Sequence, residues 1–221
     1  KLYKEKRALK NEEFSTSEWI QIIEKLGKSP FWVTISGGEP FARGDVTKLC
    51  RTICEVNKPK IINIPTNGIL HDRIKNEVPK ILDACTENNV SLVVNLSIDE
   101  IGERHDEIRG VKGNWHMAMK SLVTLKSMKS ENQNMVVGIH TVVSNYNIAR
   151  LPEIVRYINE ELNPDHYVME VAEERSELFN QKTNITPTPS ELKRTLNNVM
   201  NYLERKNSKV KGLGKISLAF R

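Results

Sequence analysis

Phe31-Trp32-Val33-Thr34-Ile35-Ser36-Gly37-Gly38-Glu39-Pro40 is the stretch that decides the fold. Its first half is apolar, β-branched and aromatic, which predicts a short buried strand. Its second half sets two glycines at that strand's carboxyl end, where a sharp turn leaves backbone N–H and C=O groups uncovered for a ligand. Glu39 adds a carboxylate at the same edge and Pro40 stiffens the exit. In a βα unit this is the edge at which ligands bind. A Gly-Gly pair alone also serves as a plain turn, so the reading depends on the rest of the chain.

Working outward, the same pattern recurs. Strands are predicted at 31–35, at 61–65 ending in Thr66-Asn67-Gly68, at 91–99, at 135–143 and at 167–172. Helices are predicted between them, over 15–25, 45–55, 74–87, about 115–125, 148–162 and 189–203. Ser15 has helix-start chemistry, Pro152 sits in a first turn where proline is tolerated, and Pro79 is a candidate break. Residues 173–188 read as a polar loop and 216–220 as a short strand. Strands starting near 31, 61, 91, 135 and 167 give a βα rhythm of roughly thirty to forty residues, the signature of an α/β fold with a parallel sheet. The right-handed crossover rule leaves an open doubly wound sheet or a curved barrel.

The 221 residues suffice for one sizeable core. No window approaches eighteen apolar residues, and the basic start, Lys1 to Arg7, is followed by no apolar run, so neither a membrane span nor a signal peptide is expected. A cytoplasmic location follows as the expectation. Net charge is +5, with the excess at the two ends. No aromatic residues interleave those charges, which argues against a nucleic-acid surface and for a solvated flank. Cys50, Cys54 and Cys85 make no even disulfide framework and read as reduced, buried thiols.

Loops after parallel strands share one edge, so the strand ends pool into one surface. That surface offers Gly37, Gly38 and Glu39, then Thr66 and Asn67, Ser97 and Asp99, Ser144, and Glu170. Alternation puts Asn95, Ser97 and Asp99 on one face of their strand, and His140 on the same face as Gly138. Polar residues recurring on strand interiors suggest a cavity in place of a filled barrel core. Each has an ordinary reading alone: Asn67-Gly68 as a turn, Ser97 as a satisfied hydroxyl, Arg109 as a loop charge, His140 as a packed strand histidine.

Together and in this order, these residues resemble the radical S-adenosylmethionine (radical SAM) enzymes. Ser36-Gly37-Gly38-Glu39-Pro40 is similar to the family's glycine-rich motif, which holds the amino group of the ligand's methionyl end. Thr66-Asn67-Gly68 is similar to the Thr-Asn-Gly that ends the next strand. Ser97-Ile98-Asp99, followed by His105-Asp106 and Arg109-Gly110, is similar to the segment whose serine and arginine contact the ligand's ribose and carboxylate. The resemblance implies a six-stranded partial (β/α) barrel over residues 1–206, with its first strand and cluster loop ahead of Lys1. It implies a basic linker or the start of an extension over 207–221. The pattern is most similar to the peptide- and protein-modifying branch with a cysteine-rich, SPASM-type extension.

The implied cofactors are S-adenosylmethionine and a [4Fe-4S] cluster. The cluster's three-cysteine motif is absent from this chain, and Cys50, Cys54 and Cys85 cannot replace it, so no metal ligand is expected within these residues. No side chain can abstract hydrogen from an unactivated carbon, and a cofactor must supply that radical. The implied reaction is reductive cleavage of S-adenosylmethionine to a 5′-deoxyadenosyl radical that takes hydrogen from a peptide or small metabolite, with an external electron donor. Cofactor-binding candidates are Gly37, Gly38, Glu39, Thr66, Asn67, Ser97, Asp99, Arg109 and Ser144. His140 and Glu170 are candidates on the substrate side. The alternative is a cluster-less, non-catalytic barrel that binds a nucleotide or a partner.

Overall fold

The structure, a computed structural model, describes residues 13–28, 30–174 and 183–209. Helix α1 (Thr16–Leu26) starts on a reciprocal cap: Ser15 Oγ accepts from the Glu18 amide while the Glu18 carboxylate accepts from the Ser15 amide. Strand β1 (Trp32–Thr34) follows, and after the glycine turn comes α2 (Val46–Thr52), whose last stretch, Ile53–Asn57, widens into a π turn. Then come β2 (Ile61–Thr66), α3 (His71–Glu87), β3 (Ser91–Ser97), the short α4 (Glu103–Arg109) and α5 (Asn114–Ser130). Strand β4 (Met135–Val143), α6 (Leu151–Tyr157) with a second π turn at Ile158–Leu162, β5 (His166–Val171) and α7 (Pro189–Lys209) complete the described chain.

The five strands pair in the order β1-β2-β3-β4-β5, every neighbour parallel. A doubly wound sheet reverses its strand order at a switch point. This one never reverses, so the curled half-barrel is the form adopted and the doubly wound alternative is excluded. Helices cover the outer face. Ile62, Ile64, Leu92, Val94, Leu96, Val137 and Ile139 point into that layer, each at most 1% exposed, and pack with Ile74 and Val78 of α3, Leu122 and Leu125 of α5, and Ile154 of α6. Burying each such side chain contributes about 1.5–3 kcal/mol. The inner face stays open.

Four expectations change. The run at 31–35, expected to be a buried strand, forms an edge strand whose Phe31 and Trp32 are 68% and 50% exposed. Helix α3 starts three residues earlier than predicted and runs unbroken through Pro79, whose side is exposed, so water can satisfy the carbonyl that the proline leaves without a donor. The segment between β3 and α5, read as a loop, holds α4. Helix α7 continues to Lys209, past the predicted end at 203. The five strands among the described residues are the ones expected in this chain, since the resemblance put the first of six ahead of Lys1. The strand expected at 216–220 falls outside them. No helix among the described residues is long and apolar enough to cross a membrane.

Candidate functional site

Glu39 organises the first two strand ends. Its Oε1 accepts from Thr66 Oγ1 at 2.8 Å and from the Phe41 amide at 3.2 Å, and its Oε2 accepts from the Asn67 amide at 2.8 Å. The carboxylate is thus committed to the protein. It welds the loop after β1 to the end of β2, and charge-assisted bonds of this kind are the stronger sort. The turn at 66–68 is fixed from behind as well. Gly68 has φ +73°, and a Cβ there would stand 2.9 Å from the Ala118 backbone, so α5 lies against bare glycine. Ser121 Oγ donates to the Gly68 carbonyl at 2.7 Å. At Gly37, by contrast, a Cβ would meet no protein atom within 4 Å. The space over that glycine is open to a ligand.

The end of β3 carries the charge. Asp99 is 5% exposed; its Oδ1 accepts from the Val142 amide at 2.9 Å and its Oδ2 lies 2.8 Å from Arg109 Nε. Its own amide donates to Nδ1 of the fully buried His105 at 3.2 Å. Burial first, and the Arg109 charge second, push the His105 pKa down to about 4, so the ring is neutral near pH 7. Asp106 accepts from the Gly113 and Trp115 amides at 2.5 and 2.7 Å, which joins the end of α4 to the start of α5. Trp115 meets the His105 ring edge-on at 5.9 Å. Arg109 therefore rides on a helix held at both sides, and no described residue accepts from its terminal nitrogens.

These elements enclose one cavity of about 330 Å³. Of the predicted residues, Gly37, Gly38, Glu39, Thr66 and Asn67 line it from one side, and Ser97 and Arg109 from the other. Pro65, Val111 and Asn114 complete the wall and escaped sequence reading. Asn114 is 2% exposed and its side chain pairs with the His105 ring. Asp99 and Ser144 are not on the wall. Asp99 holds Arg109, and Ser144 is a buried turn residue whose amide donates to Asn147 Oδ1 at 2.7 Å and whose Oγ accepts from the Tyr146 amide at 3.3 Å. His140 and Glu170 lie elsewhere, paired at 3.4 Å on the inner face of the sheet.

The open backbone at Gly37 and the donor fork of Arg109, on opposite sides of the cavity, suit a small polar ligand that carries a carboxylate. An iron–sulfur cluster is a different matter. It needs accessible thiolates, whereas Cys50, Cys54 and Cys85 are each 0% exposed inside the helical layer. Cys54 and Cys85 Sγ stand 3.7 Å apart, and burial pushes the Cys50 thiol far up. Among the described residues no cluster of His, Cys, Asp or Glu could hold a metal. The described cysteines do not fit that group.

Comparison with known proteins agrees with the geometry. The Fe-coproporphyrin III synthase of Methanosarcina barkeri is 32% identical over 154 residues, which cover 69% of this chain and 35% of that protein. A protein of Methanocaldococcus jannaschii named "Probable GTP 3',8-cyclase" is 29% identical over 216 residues, 92% of this chain and 65% of its own length. The chain thus spans about a third of the first relative and under two thirds of the second. Among solved structures, "Native anSMEcpe with bound AdoMet" superposes with a TM-score of 0.66 over 88% of this chain and 53% of that one, at 17% identity, a likeness of fold. The profile described as "Radical SAM superfamily" matches residues 5–158, more than half of the sequence, and the chain belongs to that superfamily.

Proposed function

We propose that the cavity at the strand ends binds S-adenosylmethionine and that this barrel is the radical-generating part of an enzyme whose cluster ligands lie outside the described residues. When reduced by one electron, the bound group supplies an alkyl radical able to take hydrogen from an unactivated carbon, chemistry that no side chain offers. This chain's residues bind and orient. The open backbone at Gly37 and Gly38 receives the ligand's amino end, with Glu39 setting the turn's position. Arg109, aimed by Asp99, presents its remaining N–H groups to the ligand's carboxylate. Ser97 faces the ribose. Ser144 and Asp99 act at one remove, through the turns and the ion pair they hold.

The observation that carries this reading is that one cavity wall joins Gly37 and Gly38 after β1, Asn67 after β2, Ser97 at the end of β3 and Arg109 of α4. Of the two expected substrate classes, a small molecule is the one the matches support: the curated relatives are named for a porphyrin and for GTP. The test uses the full-length protein purified without oxygen. Calorimetric titration should show S-adenosylmethionine binding that falls at least tenfold in Arg109→Leu. Addition of dithionite should then yield 5′-deoxyadenosine. Binding without that product would favour a non-catalytic barrel, and absence of both would sink the proposal.

A further inference from the structure

On its β4–β5 side, the inner face of the sheet ends in a carboxylate that the protein leaves open. Tyr167 and Met169 point outward and are buried under the helices, at 7% and 6% exposure, so alternation turns His166, Val168 and Glu170 inward. The Glu170 side chain is 61% exposed, and its Oε2 lies 3.4 Å from Nε2 of His140 on the neighbouring strand. That nitrogen is enclosed and makes no hydrogen bond. Beyond this contact the Glu170 carboxylate has no partner among the described residues.

The pair stands beside the cofactor cavity. Ser97 lines that cavity and is the register partner of His140, and Glu170 follows on the next strand out. Neighbouring strands lie ~4.8 Å apart, so the carboxylate is two strand spacings from the cavity wall. The charge inventory of this face is one-sided. Across the inward positions of all five strands, the titratable groups are Glu170, His140 and His166, with no lysine or arginine. Burial lowers the His166 pKa, which keeps that ring neutral near pH 7. Arg109, beyond the end of β3, is held by Asp99 and lines the cofactor cavity. The half-barrel thus offers a carboxylate without a fixed cation, in a concave space where charges are screened less than on an open surface.

We propose that Glu170, beside His140, anchors a cationic nitrogen of the substrate, an ammonium or amidinium group, and that this side of the half-barrel discriminates against carboxylate and phosphate groups. The cation donates to the Glu170 carboxylate, which has no competing donor among the described residues. An anion placed there would meet a like charge with nothing to offset it. Anchoring the charge at this point leaves the rest of a small substrate within reach of the cavity in which the radical is generated. The proposal rests on the reading of the half-barrel as a substrate-binding enzyme, and its test is independent of cofactor binding.

The probes are benzamidine, benzamide and benzoate, flat molecules of similar size that carry a positive, no or a negative charge. Binding to the full-length protein at about pH 8, above the ordinary imidazole range, is followed by the resonances of labelled histidine, with His140 assigned from His140→Gln. Benzamidine should shift the His140 signal and bind about three- to tenfold more tightly than benzamide, with benzoate weaker still. Glu170→Gln keeps the size of this exposed side chain and removes its charge. It should bring benzamidine to the level of benzamide while the S-adenosylmethionine titration and the melting curve stay close to wild type. Benzamide or benzoate binding as tightly as benzamidine, no shift at His140 with any probe, or a benzamidine preference that survives Glu170→Gln would overturn the proposal. Loss of S-adenosylmethionine binding with the benzamidine preference intact would instead count against the cofactor reading alone.

Discussion

The two faces of one sheet follow opposite rules. On the outer face, alternate residues of β2, β3 and β4 are mostly isoleucine, leucine and valine, with Met135 and the buried Thr66 and Thr141, at most 2% exposed and packed under helices. On the inner face the same strands present Asn63, Asn95, Ser97 and His140, all only partly buried, with Asn63 bonded to Thr34 and Asn95, and His140 beside Glu170. A strand whose two faces were both structural would be apolar on both, as parallel strands covered on each side are. The difference teaches that the outer face specifies the barrel while the inner face is spent on something the barrel holds.

That contrast can be broken most forcefully from outside. Ile139→Ala empties a fully buried position, and such truncations cost about 2–5 kcal/mol, or a melting temperature lowered by roughly 5–15 °C for a chain of this size. Thermal denaturation checks it. His140, its sequence neighbour on the inner face, should tolerate Ala within about 0.5 kcal/mol, the smallest effect expected here. If the two substitutions cost the same, the division of labour between the faces is wrong.

Acid should strike at the boundary between the faces. His105 is held neutral, with its pKa lowered from 6.5 to about 4. The unfolded chain therefore binds a proton that the folded one refuses between those values. Stability from this group is complete above about pH 6.5 and falls as pH drops toward 4, by about 3 kcal/mol in total. Urea unfolding measured from pH 7.5 to 4 should show that decline, and His105→Gln should flatten it.

A smaller effect belongs to the strand ends. Glu39→Gln keeps the size but replaces an acceptor oxygen by a donor facing either Thr66 or the Asn67 amide. S-adenosylmethionine affinity should fall by about ten- to a hundredfold, equivalent to roughly 1.4–2.8 kcal/mol. Calorimetry reads this directly, and a melting curve shows how much of the loss is shared with stability.

Much of this was legible in the sequence because it is periodic. The strands begin at 32, 61, 91, 135 and 166, within one residue of the starts expected from apolar runs. The glycine turn, Asn67, Ser97 and Arg109 were legible because parallel topology forces strand ends to one edge. Helix α4 was not, since Glu103–Arg109 has Ile108 as its one aliphatic residue and Gly102 where a capping side chain would stand. Asn114 and Val111 were missed for the same reason: they reach the cavity only because Asp106 folds their loop back. The meeting of Asn95 and His166 over Gly138, which is 43 residues from one and 28 from the other, is a relation that a one-dimensional pattern does not encode.

Helices α2 and α6 end alike: each loosens into a π turn and stops on a left-handed residue, Lys58 at φ 49° or Asn163 at φ 39°, just before the next strand. A π turn accommodates one residue more than an α turn over the same length. The wall of helices therefore holds two places where the chain has a link to spare. Shortening either by that single link would restore an ordinary spiral without rotating the segment before it, so these seams are where the outer shell can lose a residue while the rim of strand ends stays in register.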